Sequence, residues 1–235
     1  MTLQRPTLSG FCLDLYDWNW ELAEKEYKRA LALNPSYATA HHWYAWHLIV
    51  TGRHSEAIAE SRKAESLDPL SPIISADLAD ALCVAHLCDE SVQQSRKTLE
   101  MHPYFAVAHY QLGQALTQKR MHTEAIASLQ RAIELSRGNT AFESNLAYVY
   151  AVAGRTDEAI KIIKDLEGRP GRPASTDPHI ALIYVGLGHR DQAMSWLNKA
   201  YEARFNPSIL MRPAFDPIRS DARFQDLLRR IGLPR

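Results

Sequence analysis

The chain has little cysteine: Cys12, Cys83 and Cys88 are its only three. They are too few and too unevenly placed for a disulfide framework, and are read as reduced thiols. Nowhere is there an uncharged apolar run of about 18 residues, the length a membrane-spanning helix needs. The opening Met-Thr-Leu-Gln-Arg-Pro-Thr-Leu-Ser-Gly also lacks the apolar stretch of a signal peptide. Net charge is missing as well, since 27 Lys and Arg balance 27 Asp and Glu, so affinity dominated by a field attracting phosphates or anionic lipids is disfavoured. A soluble, cytoplasmic chain with no membrane or nucleic-acid partner is expected. The phosphate loop Gly-x-x-x-x-Gly-Lys-Ser/Thr, the dinucleotide fingerprint Gly-x-Gly-x-x-Gly, His-Glu-x-x-His and Gly-x-Ser-x-Gly are all absent. No catalytic role and no cofactor are expected.

What is present is a ruler. Small residues recur at Ala23, Ala57, Ser91, Ala125, Ala159 and Ala193, each 34 residues after the last. Two further series keep the same step: Ala45, Ala79, Gly113, Ala147 and Ala181, and the large set Tyr44, Leu78, Leu112, Leu146 and Ile180. Leu48, Leu82, Leu116, Tyr150 and Tyr184 lie four after the large set, while Ala30, Ala64, Thr98, Ala132, Leu166 and Ala200 lie seven after the first small set. Spacings of four and seven place residues on one helical face.

Breaks divide each unit into two helices. Gly52, Gly154 and Gly188 take the turn between them, with His86 and Arg120 in place of glycine in the other two units. After each turn comes a residue able to cap a helix, Ser55, Asp89, Thr123, Asp157 or Asp191, and the second helix is expected to start there. Asn34-Pro35, Asp68-Pro69 and His102-Pro103 close units, because proline cannot continue a helix. Gly168-Arg-Pro-Gly-Arg-Pro173 is expected to end its helix early and to form the irregular connection of the array. Short side chains let antiparallel helices approach, so Ala45 should meet Ala57, and Ala79 should meet Ser91.

A 34-residue helix-turn-helix with this small and large pattern and a terminal proline resembles the tetratricopeptide repeat family. The resemblance implies an all-α, right-handed superhelical solenoid of antiparallel helix pairs. Its units are a half repeat at 19–37 and full repeats at 38–71, 72–105, 106–139, 140–173 and 174–207, with a C-terminal capping segment at 208–235. A capping helix is expected from about Asp221 to Ile231, with Phe224, Leu227, Leu228 and Ile231 covering the last unit. Residues 1–18, interrupted by Pro6 and Gly10, read as an irregular cap or a degenerate first helix. That end would expose Leu13, Leu15, Trp18 and Trp20, and a homodimer through the N-terminal edge is expected.

A narrower likeness lies in Tyr16-Asp-Trp-Asn-Trp20, His41-His-Trp-Tyr-Ala45, Leu67-Asp-Pro-Leu-Ser-Pro72, Phe215-Asp-Pro-Ile-Arg219 and Arg223-Phe-Gln-Asp-Leu-Leu228. These resemble tetratricopeptide segments of bacterial multidomain signalling proteins, where the array follows a winged-helix, cyclase-like or serine/threonine kinase domain. No such domain precedes the array here, so it is expected to act detached from one.

The family's geometry lines the concave face with the second, fifth, sixth, ninth and twelfth positions of each first helix. Carried onto this sequence, these are Thr39, His42, Trp43, Trp46 and Ile49, then Ile73, Ala76, Asp77, Asp80 and Cys83. Val107, Tyr110, Gln111, Gln114 and Thr117 follow, then Ala141, Ser144, Asn145, Tyr148 and Ala151. Aromatic and amide groups together suit peptide recognition. The expected peptide-binding groove is therefore Thr39, His42, Trp43, Trp46, Asp80, Tyr110, Gln111, Gln114, Asn145 and Tyr148. The family's carboxylate clamp for acidic chaperone tails needs lysine, arginine and asparagine at these positions, and only Asn145 fits. The expected function is a non-catalytic protein-interaction scaffold holding a peptide or helical segment in its concave groove. The alternative is a regulatory or ligand-sensing module of a bacterial transcription or kinase system.

Two sharper readings are set aside. Cys83, His86 and Cys88 could supply zinc ligands, but they straddle a turn and need not converge, so no metal site is expected. From Arg204 onward seven arginines face three aspartates; dispersed and without an aromatic platform, they read as solvated helix surface rather than a nucleic-acid footprint.

Overall fold

The computed structural model describes residues 4–234. Thirteen α-helices follow one another with no strand among the described residues. They are α1 Gln4–Cys12, α2 Trp20–Leu33, α3 Ala38–Val50, α4 His54–Leu67, α5 Pro72–Val84, α6 Cys88–Met101, α7 Ala106–Gln118, α8 His122–Ser136, α9 Thr140–Val152, α10 Thr156–Gly168, α11 Asp177–Gly186, α12 Arg190–Glu202 and α13 Ala222–Ile231. From α3 to α12 they form five antiparallel pairs in a solenoid.

The spacing residues do what their size allows. Ala23, Ala57, Ser91, Ala125, Ala159 and Ala193 are all fully buried, as are Ala30, Ala64, Thr98, Ala132, Leu166 and Ala200. Ser91 Oγ donates to the Ala79 carbonyl at 2.7 Å, so this helix pair is in direct contact. At Gly113 the approach is closer still: an added Cβ would lie 2.6 Å from Leu129 Cγ. The turn residues Gly52, His86, Arg120, Gly154 and Gly188 all take positive φ, from 59° to 78°. Histidine and arginine therefore accept a left-handed strain that glycine avoids.

Two local expectations change. The second helices start one residue earlier than expected, and Arg53, Leu87, Met121, Arg155 and His189 occupy the cap position without a side-chain cap bond. Ser55, Asp89, Thr123, Asp157 and Asp191 lie inside the first turn, where the acidic ones favour the positive end of the helix dipole. The Gly168–Pro173 stretch barely shortens the helix before it. It delays the helix after it, where a 3₁₀ turn at Ala174–Thr176 replaces the first residues and leaves α11 with 10 residues. Of the two readings of the N-terminal end, a helix is present, over Gln4–Cys12, despite Pro6 and Gly10. Pro6 falls in the first turn of α1, where a backbone N–H has no helical partner, and Gly10 is required because a Cβ would lie 2.9 Å from the Tyr27 ring.

Beyond α1 a π-helical turn, Leu13–Asp17, carries Asp14 into the interior. There Tyr27 Oη donates to Asp14 Oδ2 at 3.0 Å and His47 Nδ1 lies 2.8 Å from Asp14 Oδ1, all three side chains essentially fully buried.

The two ends of the array meet. Trp18 packs against Tyr201 and Phe205, with ring centroids 5.6 Å and 6.3 Å apart, and Trp20 Nε1 donates to the Ile231 carbonyl at 2.9 Å. Trp18 and Trp20 of the N-terminal edge expected to seek a second copy are thus partly covered by the chain's own C-terminal segment, and Leu13 also keeps only part of its surface. The Leu15 side chain lies outside the described residues. Helix α13 begins at the Asp221 cap and ends at Gly232 in the left-handed region. Phe224, Leu227, Leu228 and Ile231 are buried, each contributing roughly 1.5–3 kcal/mol of hydrophobic stabilisation.

Candidate functional site

The first helix of each pair presents its inner face to the concave side, and the polar residues there pair across units with a fixed offset. His42 Nε2 lies 2.6 Å from Asp77 Oδ2, Asn145 Nδ2 donates to Tyr110 Oη at 3.1 Å, and Ser144 Oγ lies 3.3 Å from His179 Nδ1. Each pair is 35 residues apart, one repeat plus one residue. The fifth position of one unit therefore meets the sixth position of the next, because successive first helices stack side by side in register.

The ten expected groove residues separate into two groups. Thr39, His42, Trp43 and Trp46, all on α3, remain partly exposed. Phe11 of α1 packs onto the two tryptophans, with centroids 4.6 Å from Trp43 and 6.0 Å from Trp46. Asp80, Tyr110, Gln111, Gln114, Asn145 and Tyr148 are buried. The expectation of an open groove fails at these six: residues 207–218 of the same chain fold across the concave face as two 3₁₀ turns, Pro207–Met211 and Pro213–Ile218, against Asp80, Tyr110, Gln114, Asn145 and Tyr148, while Gln111 accepts from Gln114 Nε2 at 2.7 Å.

Arg212, between the two turns, is the centre of this contact. Its Nη1 donates to Asp80 Oδ1 at 2.6 Å and to Gln114 Oε1 at 2.8 Å, while Nη2 donates to Asp80 Oδ2 at 3.2 Å. The guanidinium lies 5.9 Å from the Tyr110 ring centroid, and Tyr110 stacks on Phe142 at 4.4 Å. Burial opposes the charge on Arg212, but the Asp80 carboxylate outweighs it and holds the guanidinium above its ordinary pKa. The surroundings respond to the same burial and charge. Burial, helped by the Arg212 charge, lowers His179 to about 4, and burial raises Tyr148 to about 12.

Arg212 escapes a reading of the sequence, although its neighbourhood carries a signal. A single cation stands in the apolar run Ile209-Leu-Met-Arg-Pro-Ala-Phe215 and is bracketed by Pro207 and Pro217, a poor pattern for solvated helix surface. His179 escapes it as well; it is the sixth position of the last unit, in register with Trp43, Asp77, Gln111 and Asn145.

Cys83 is buried and its thiol is pushed up by burial, and Cys88 is half-buried. Among the described residues no three His, Cys, Asp or Glu side chains come together as metal ligands. Also among the described residues, no helix is long and apolar enough to cross a membrane.

No curated protein matches the sequence. Among solved structures, a tetratricopeptide repeat protein from Parabacteroides merdae superposes with a TM-score of 0.71 at 13% identity, covering 98% of this chain and 84% of that one. TTC0263, a thermophilic tetratricopeptide repeat protein of Thermus thermophilus, gives 0.67 at 22% identity over 84% of this chain and 100% of that one. PilF of Pseudomonas aeruginosa gives 0.60 at 17% identity over 97% of both. At these identities the likeness establishes the fold alone. A tetratricopeptide repeat profile matches residues 13–72 and 77–140, more than half the chain, and two others match 116–169 and 179–207. With the 34-residue period, the paired helices and the turn geometry in agreement, the chain belongs to the tetratricopeptide repeat family.

Proposed function

We propose that this protein is a non-catalytic interaction scaffold that takes a segment of a protein partner along the part of its concave face left open at α3. The observation that carries the reading is the split within the concave face. Thr39, His42, Trp43 and Trp46 keep exposed surface while the rest is filled by residues 207–218. Partly exposed tryptophans beside a histidine and a hydroxyl supply the amphipathic contact area that interaction surfaces use. An acidic chaperone tail is a poor match, because Asp77 and Asp80 stand on this face and the clamp lysines and arginines are absent.

The tail motifs that resemble those of bacterial signalling arrays have a packing account: Phe215 and Phe224 stack at 6.0 Å inside the cap. They describe how the array is closed, so they give the regulatory reading no separate support. The test is a Trp43→Ala/Trp46→Ala double variant. It should lose capture of the partner from the native host while its circular dichroism spectrum is unchanged. Capture that survives the change moves the site to the convex face.

A further inference from the structure

The floor of the concave face is more polar than a tail packed only for stability requires. A buried ion pair contributes about as much as a well-packed apolar pair of the same size, or less. Here one guanidinium is met by groups from two repeats, the Asp80 carboxylate on α5 and the Gln114 amide and Tyr110 ring on α7. Asn145 on α9 fixes the Tyr110 hydroxyl. This is a forked, planar site of the kind that separates arginine from lysine. The backbone at Arg212 is extended, with φ −71° and ψ 144°, and Pro213 follows, whose missing N–H leaves no donor to satisfy in the groove. The fit is close: the gap left against Cys83, Thr117 and Tyr148 is about 10 Å³.

The middle of the segment is itself buried, Leu210 fully and Ile209, Met211 and Ala214 nearly so, and Arg219 Nη2 donates to the Leu210 carbonyl at 3.1 Å, so an occupant that replaces it has to be apolar on both sides of its arginine. Phe205 and Phe215, buried at either end, anchor the segment, and the cap beyond is held by contacts of its own, the Phe215–Phe224 stack and the Trp20 bond to Ile231. We propose that the Asp80–Gln114–Tyr110 corner is a recognition subsite for an arginine followed by proline in an extended, otherwise apolar segment. Arg212 occupies the subsite in the free chain, and a partner segment carrying the same element exchanges with it and continues over Trp43 and Trp46. This rests on the interaction reading above and names the chemistry of the partner. Two observations favour a basic anchor over an acidic one: the carboxylates Asp77 and Asp80 on this face, and the presence of an arginine in the subsite already.

The experiment uses the full chain and a fluorescein-labelled peptide spanning residues 208–216. A tethered occupant competes at high effective concentration, so the Arg212→Ala variant should bind the peptide at least about tenfold more tightly than the wild type. A peptide with alanine in place of its arginine should bind that variant about tenfold more weakly, and adding Asp80→Asn to the variant should remove binding. Ethylguanidinium chloride should raise the thermal midpoint of Arg212→Ala and leave that of the Arg212→Ala/Asp80→Asn protein unmoved. If Arg212→Ala does not fold, Arg212→Lys keeps the charge and loses the fork, and it should still bind the peptide more tightly than the wild type. Equal binding by wild type and variant, or by the arginine and alanine peptides, overturns the proposal. If that happens while the Trp43/Trp46 variant still loses its partner, the arginine subsite falls and the interaction reading stands. If that double variant also keeps its partner, both fall.

Discussion

In the middle of the array Ala79 meets Ser91 and Gly113 meets Leu129, and these contacts recur from unit to unit because the same small residue returns every 34 positions. At the ends nothing recurs. Asp14 reaches Tyr27 and His47 from a π-helical turn, Trp20 bonds to Ile231 across 211 residues of sequence, and Arg212 crosses 132 residues to Asp80. The middle is local and redundant, as expected for a solenoid whose units touch only their neighbours. The ends are long-range and specific. Closing a repeat array is thus a separate problem from propagating it, and in this chain the closure also occupies the concave face.

Four measurements probe that contrast. The largest effect is expected at the closure: Phe224→Ala removes a fully buried ring from the cap and should cost about 3–5 kcal/mol in urea unfolding. An effect below about 1 kcal/mol would mean the cap does not close the array. Next comes acidity. Since burial and Arg212 hold His179 at about 4, its folded pKa lies below its unfolded value near 6.5. Stability is therefore complete above about pH 6.5 and is lost as the pH falls toward 4, by about 3 kcal/mol. His179→Asn should flatten the thermal midpoint across that window, and an unchanged pH profile would contradict the assignment.

In the middle, Ala125→Leu should overpack the contact between α7 and α8 at a cost of about 1–3 kcal/mol. An unaltered denaturation midpoint would show that the register is wrong. The smallest effect belongs to a single bond of the closure. Trp20→Phe loses the hydrogen bond to the Ile231 carbonyl and should lower stability by about 0.5–1.5 kcal/mol, with the amide exchange of Gly232 and Leu233 rising more than that of α7. Equal changes in both regions would show that the ends and the middle open as one unit.

The groove shows how far a periodic reading reaches. Position in the repeat assigns Thr39, His42, Trp43 and Trp46 to the concave face, and all four keep part of their surface exposed. Asp80, Tyr110, Gln111, Gln114, Asn145 and Tyr148, assigned to the same face, are buried, and all but Gln111 lie against the chain's own tail. Position within a repeat predicts which way a residue faces. It says nothing of what arrives to cover it. The helix starts differ by one residue for a related reason: Ser55 and Asp89 look like caps in sequence, but acidic and hydroxyl residues also occur within the first turn, and only backbone geometry separates the two.

Spacing alone specifies the repeat: the pair of helices, the turn position that accepts positive φ even at His86 and Arg120, the buried small residues, and a C-terminal amphipathic helix. All of these depend on separations of a few residues up to one period, over which a helix fixes direction. Other features exist only once the array is assembled in three dimensions. Trp18 and Trp20 are covered by Tyr201, Phe205 and Ile231, Asp14 enters the interior to meet Tyr27 and His47, and Arg212 lies on Asp80. The physical reason is superhelical curvature. Small rotations between successive helix pairs add up along the array until its ends meet, and no single residue or local pattern encodes that sum.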